Sequence, residues 1–157
     1  MAKFQFKLKA VEEFRNKKEQ KMLEELSVSQ RNYQQKINDK KILLAKKQES
    51  FLRKNDLLSR DASINDIRIQ EEYIVGLKHQ IVRADQAIIR ARRFLEQDMK
   101  KYIQARRERM MVDRLKEKAL EEFKIEQARL EQKQLDDLIT MRARLNHGPI
   151  EGEEEIA

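Results

Sequence analysis

A repeat of seven residues begins at Ile67 and limits the possible folds more than any other feature of the sequence. Apolar residues recur at Ile67, Ile74, Ile81, Ile88, Leu95 and Tyr102. The companion position holds Gln70, Leu77, Ala84, Ala91, Asp98, Ala105 and Val112. Two such positions in every heptad form one narrow seam along an α-helix. The pattern predicts a long helix that packs lengthwise against another helix.

The scarcity of turn residues points to the same class of fold. The 157 residues include only three glycines and one proline, and three of these four lie at positions 148, 149 and 152. Sheets and compact α/β folds need many tight turns, so this composition argues against both. Charged residues make up 40% of the chain and the mean hydropathy is −0.87, which leaves apolar surface for a helical seam but not for a thick core. The predicted class is all-α.

A second apolar stripe precedes the heptad repeat. It consists of Met22, Leu26, Tyr33, Ile37, Leu44, Phe51 and Leu58. Polar residues interrupt it at Ser29, Lys40, Gln48 and Asn55. An interrupted stripe gives a helix that depends on its partner for order. We therefore expect this first helix to pack against the second.

The stretch SRDASIND, residues 59–66, separates the two stripes. Ser63 and Asp66 have the spacing of a capping box at a helix start, and Asp61 is an alternative N-cap. The stretch predicts a chain reversal, although without glycine or proline a continuous, dimerising rod is the alternative. The predicted fold is an antiparallel two-helix coiled-coil hairpin with a longer second helix. Its parts are helix one at about 4–58, a turn at 59–63, and helix two at 63–146, in a single domain of residues 1–146.

Arms of unequal length leave residues 119–146 without a partner. This stretch keeps an apolar stripe at Ala119, Phe123, Leu130, Leu138, Met141 and Leu145. Burying its large side chains would contribute on the order of 10 kcal/mol before the costs of association. The stripe predicts a binding surface, with self-association or a frayed helix end as alternatives. The C-terminal segment at residues 147–157, which is rich in glutamate, is predicted to be disordered.

The sequence offers no pattern typical of an enzyme. His79 and His147 have no metal-ligand spacing, and the chain contains no glycine-rich phosphate loop. The carboxylates of Asp136 and Asp137 diverge on a helix, so they are poorly placed as a paired acid and base. No apolar run approaches the roughly 20 residues that span a membrane. The basic run at residues 90–114 is diluted by acidic residues, and no nucleic-acid partner, metal or cofactor is predicted.

Three stretches together resemble the FliJ family, stalk-like proteins of the flagellar type III export apparatus. They are KFQFKLKAVEEFR at residues 3–15, EEYIVGLKHQI at 71–81 and LKEKALEEFKIEQARLEQKQLDDL at 115–138. Each stretch is weakly specific alone, but their order and spacing span nearly the whole chain. The resemblance implies a non-enzymatic antiparallel coiled coil, similar to the γ stalk of rotary ATP synthases.

The resemblance also implies partners and sites. Family members bind the hexameric export ATPase in its central pore, contact the cytoplasmic domain of the export gate, and engage export chaperones. The chain would then be a cytoplasmic monomer, held at the inner membrane of the flagellar base by protein partners. Tyr73 and Leu77 would belong to the gate-facing surface, with Tyr73 the stronger candidate because Leu77 lies on the seam. The ATPase-facing end would comprise Phe123, Arg129, Leu130, Gln132, Lys133, Asp136, Asp137, Leu138 and Met141.

Two other functions fit the same residues. The stalk protein of a virulence type III secretion system would carry the same helices and the same exposed end. A coiled-coil scaffold that homodimerises through residues 119–146 would also use the apolar stripe. The sequence leaves both alternatives open.

Overall fold

Two antiparallel helices make up nearly all of the described chain. The computed structural model describes residues 3–146, with α1 at Lys9–Ser59 and α2 at Ile64–Asn146. The helices pack against each other, and the described residues contain no strand. The predicted all-α helical hairpin is therefore confirmed. The predicted disordered tail, residues 147–157, lies outside the described residues.

The chain divides into two compact units. Glu13–Arg109 forms one, which we call the hairpin unit. Met1–Glu12 and Met110–Ala157 form the other, the terminal unit, of which residues 3–12 and 110–146 are described.

In the hairpin unit, the heptad seam of α2 is the face that α1 covers. Every seam position from Ile67 to Ala105 is buried or half-buried, as the sequence predicts. Ala91 and Ala105 are only 4% and 1% exposed, which shows that α1 approaches α2 closely at small residues. No large side chain is fully buried among the described residues. The core is thus one side chain thick, as the hydropathy indicates.

The stripe of α1 agrees with the prediction only in part. Leu26 is buried and Phe51 is half-buried, but Leu44 and Leu58 are exposed, and the preceding Leu43 and Leu57 take their places. One residue turns the side chain by about 100° around a helix, so a small error in the assumed period selects the wrong leucine.

Two polar interruptions of the α1 stripe pair with α2. The Ser29 hydroxyl donates a hydrogen bond to the Asp98 carboxylate, and the Lys40 Nζ lies 2.6 Å from an Asp85 oxygen. Both partners lie on or beside the heptad seam of α2. The interruptions are therefore cross-helix contacts rather than defects.

The chain reverses at residues 60–63 without glycine. Asp61 has a φ of 52°, and the amide of Ala62 donates to the carbonyl oxygen of Leu57 at 3.3 Å. This is the arrangement of a Schellman helix end, with Asp61 at the left-handed position where glycine is usual. Ser63 then caps α2, because its Oγ accepts the amide of Asn65 at 3.2 Å. The Ser63 cap is confirmed, whereas Asp61 ends α1 and does not begin α2.

In the terminal unit, residues 3–8 are not helical. Helix one was predicted to begin near residue 4, but α1 begins at Lys9. Phe4, Phe6 and Leu8 alternate with polar residues, a period of two that suits an extended chain better than a helix. Phe4 packs on Phe123 of α2, with ring centroids 5.6 Å apart. We call residues 3–8 the N-terminal strap.

Candidate functional site

The end of α2 carries exposed apolar side chains in the terminal unit. Every residue from Ala128 to Asn146 is exposed, and we call this stretch the terminal segment. Four of its apolar residues were predicted to form a docking stripe. Their exposed fractions are 48% for Leu130, 62% for Leu138, 65% for Met141 and 82% for Leu145.

The uncovered stretch is shorter than predicted. Ala119 and Phe123 are half-buried, and both line a groove against the N-terminal strap. The expectation that nothing covers residues 119–146 is therefore wrong at Ala119 and Phe123, because an extended strap reaches farther along α2 than a helix with the same number of residues. The Phe123 ring, predicted to contact an ATPase, already packs against Phe4.

Three exposed apolar residues lie outside the predicted stripe. Leu135 is 59% exposed, Ile139 is 66% exposed, and Ile125 is 54% exposed. Nine residues separate Leu130 from Ile139, a rotation of about 180° around the helix. The terminal segment is thus apolar on opposite sides. The sequence contains Leu135 and Ile139, but neither follows the spacing of the predicted stripe, so a single stripe does not predict this second face.

A third face of the terminal segment is polar. Arg129, Lys133 and Asp136 follow one another at helical spacing, and Gln132 lies beside them. Arg129 and Lys133 share a shallow hollow with Ile125 and Leu130. Four charged residues of the predicted ATPase-facing end form no ion pair with any described residue. They are Arg129, Lys133, Asp136 and Asp137. Their charges are available to a partner.

The two residues predicted to face the export gate differ in exposure. Tyr73 is 51% exposed on α2, outside the seam. Leu77 is 2% exposed and belongs to the core of the hairpin unit. A surface role for the Leu77 side chain is therefore contradicted, because a partner could reach it only if the helices separated.

Hydrogen bonds across the hairpin unit lower the pKa of three carboxyls. The Ser29 hydroxyl holds the pKa of Asp98 below its usual value, and the Lys18 ammonium does the same for Glu108. The hydrogen bond from Lys54 lowers the pKa of Glu71. Each carboxylate is stabilised by a residue of the other helix, so these shifts belong to the hairpin contact and not to a reactive site.

No cluster of three metal-binding side chains occurs within residues 3–146. In the same range, no helix has an apolar stretch long enough to cross a membrane.

The comparison with protein families decides the identity of the chain. Residues 4–148 match the family described as flagellar FliJ protein. The chain belongs to the FliJ family. It is therefore a flagellar protein related to protein export, and the family is a non-catalytic component of that system. No curated protein and no solved structure matches the chain.

Proposed function

We propose that this FliJ family protein is the stalk of the flagellar type III export apparatus and inserts its terminal segment into the pore of the export ATPase hexamer. The observation that supports the proposal is the exposure of apolar side chains on opposite sides of one helix. Leu130 and Met141 lie on one side, and Leu135 and Ile139 lie on the other.

An apolar helix surface that spans about half of the circumference, from Leu130 around to Ile139, suits a partner that reaches around the helix. A helix that packs on a single partner surface typically has an apolar stripe about 100° wide, and the apolar surface of the terminal segment is about 180° wide. A flat partner or a second helix would cover only one of these two sides. The apolar pair on the other side, either Leu135 with Ile139 or Leu130 with Met141, would stay in water. A ring of subunits around a central pore would cover both faces.

The polar face gives such a complex its register. Apolar burial supplies most of the affinity, at about 1.5–3 kcal/mol for each large side chain before the costs of association. Arg129, Lys133 and Asp136 place both signs of charge on one face. Complementary charges in a pore would select one rotational setting of the helix.

The remaining expected contacts belong to the same proposal. Tyr73 offers an exposed aromatic ring for the cytoplasmic domain of the export gate. Contact with export chaperones, and a cytoplasmic location at the inner membrane, follow from the resemblance to the family. Phe123 takes part in ATPase binding only where the N-terminal strap releases it.

The test measures binding of the purified full-length chain to the export ATPase hexamer. One variant carries Leu130→Ala with Leu138→Ala, and a second carries Leu135→Ala with Ile139→Ala. Val82→Ala with Ile89→Ala is the matched control, because both residues are exposed to a similar degree on α2 of the hairpin unit. Each terminal pair should weaken binding about tenfold to a hundredfold. The control should bind normally, and circular dichroism should show unchanged helix content in all three.

The same variants separate the proposal from its alternatives. A homodimeric scaffold that uses one stripe would dissociate with Leu130→Ala and Leu138→Ala only, in sedimentation at low concentration. Unchanged ATPase binding by both terminal pairs would refute insertion into a pore. Binding to a virulence export ATPase, and not to the flagellar one, would assign the chain to a virulence system.

A further inference from the structure

The outer face of α2 in the hairpin unit carries a row of cations. The positions that point away from α1 between residues 79 and 107 hold His79, Arg83, Gln86, Arg90, Arg93, Gln97, Lys100, Gln104 and Arg107. None of these nine residues is acidic, and they follow one another at steps of three and four residues. We call the five Arg and Lys residues among them the basic row. At 1.5 Å per residue, the row extends for about 36 Å from Arg83 to Arg107.

The basic row has no partners within the described protein. None of its five cations forms an ion pair with residues 3–146. Some neighbouring cations of α2 that lie off the row do form such pairs, as Arg92 does with Glu96 and Arg109 does with Glu19. The outer face of α1 mixes both signs, with Glu49 paired to Arg53 and Asp56 paired to Arg60. An unpaired row of one sign is therefore particular to α2.

Exposed apolar side chains flank the basic row. Val82 and Ile89 lie along one edge and are 56% and 54% exposed. Phe94 lies along the other edge and is 61% exposed. Helices that lie on a membrane surface combine cations with apolar and aromatic side chains that reach the boundary of the acyl chains. Val82, Ile89 and Phe94 place such side chains beside the basic row.

We propose that the basic row docks the hairpin unit against an anionic lipid bilayer, with the axis of α2 parallel to the membrane. The row is a rigid line of cations at unequal spacings, and lipid headgroups can move sideways to match any spacing. Each Arg or Lys near such a surface raises the partition coefficient about fivefold. The proposal does not depend on the terminal segment or on ATPase binding.

Other polyanions fit the row less well. A partner helix of a coiled coil needs an apolar seam, and the row positions from His79 to Arg107 hold only charged and amide side chains and a histidine. A nucleic-acid duplex presents phosphates on strands that wind around its axis, so a straight line of 36 Å meets them only at intervals. The Phe94 ring stands alone and provides no series of stacking positions for single-stranded bases.

The first experiment measures co-sedimentation of the full chain with vesicles. Mixed phosphatidylcholine and phosphatidylglycerol vesicles provide the anionic surface, and pure phosphatidylcholine is the blank. The test variant is Arg90→Gln with Arg93→Gln and Lys100→Gln, which keeps good helix formers at all three positions. The control variant removes three exposed α1 cations that have no ion pair to a described residue, by Lys17→Gln, Lys21→Gln and Lys46→Gln.

We expect binding to the anionic vesicles and not to the blank. The row variant should lose about a hundredfold in partition coefficient, since three cations contribute about fivefold each, whereas the α1 control should lose much less. Circular dichroism should show the same helix content for all proteins. Equal losses in the two variants would show only an effect of net charge and would overturn the proposal.

A second measurement tests the orientation. The chain has no cysteine, so single dye labels can be placed through Phe94→Cys at the edge of the row and through Val28→Cys on α1. Anionic vesicles should shift the emission of the Phe94 label to the blue and leave the Val28 label unchanged. Equal shifts at both labels would contradict a contact through this face.

Two further outcomes would also overturn the proposal. Loss of vesicle binding in the Leu130→Ala and Leu138→Ala variant would assign the membrane contact to the terminal segment. Retention on duplex DNA, at a salt concentration that releases the chain from anionic vesicles, would assign the basic row to nucleic acid. Neither outcome bears on ATPase binding, so the two proposals fail independently.

Discussion

At the scale of single residues, the turn shows how a hairpin forms without a glycine. Asp61 occupies the left-handed region, with φ at 52°, and the backbone bond from Ala62 to Leu57 closes the end of α1. Left-handed conformations cost most residues about 1–2 kcal/mol, and aspartate tolerates them better than most. The sequence therefore reverses its direction at a modest conformational cost.

Replacing Asp61 with glycine should stabilise the protein. Asp61→Gly removes the steric strain at this position, and we expect a gain of about 0.5–1 kcal/mol after the added flexibility of the unfolded chain is counted. Asp61→Ala should destabilise the protein, because alanine adopts the left-handed region less readily than aspartate does. Thermal unfolding monitored by circular dichroism measures both changes. Equal midpoints for all three proteins would show that the left-handed residue carries no strain.

At the scale of elements, the regularity of each pattern decided what the sequence could predict. The seam of α2 was predicted correctly because its period of seven fixes every position, and Ala91 and Ala105 are among its most buried residues. The stripe of α1 was predicted only in part, because its spacing is irregular and the choice between Leu43 and Leu44 depends on a rotation of about 100°. The packing of residues 3–8 on Phe123 could not be predicted, because tertiary contacts and not local period place that segment.

The N-terminal strap offers a test of this tertiary contact. Phe4→Ala removes the ring that packs on Phe123, and an aromatic pair of this kind contributes about 0.5–1.5 kcal/mol beyond its buried area. Amide hydrogen exchange near residues 119–127 should therefore rise by about fivefold. Exchange within residues 67–105 should not change, and Phe14→Ala is the control because its ring is 61% exposed on α1. A rise of equal size in the control would contradict a specific strap contact.

At the scale of the whole molecule, three groups of charged residues differ in their surroundings. Cross-helix pairs such as Lys54 with Glu71 and Lys18 with Glu108 join the helices. The basic row on the outer face of α2 forms no ion pair with a described residue, and neither do the charged residues of the terminal segment. A thin core leaves the hairpin dependent on the first group, while the other two groups are available to partners.

Acid should therefore weaken the hairpin through the first group. The folded pKa values of Glu71, Asp98 and Glu108 lie below those of the unfolded chain. A lowered folded pKa contributes stability that is complete above the unfolded value, near pH 4, and is lost as the pH falls through the folded value. The midpoint of thermal unfolding should hold steady from pH 7 to about pH 5 and fall below about pH 4.

Asp98→Asn removes one such carboxylate together with its charged bond to Ser29. This variant should be less stable than the wild type by about 1 kcal/mol at pH 7 and equal to it near pH 2. The control is Glu131→Gln, which removes a carboxylate at an exposed position of the terminal segment. A constant difference between Asp98→Asn and the wild type across the whole range would show that the Asp98 charge does not hold the helices together.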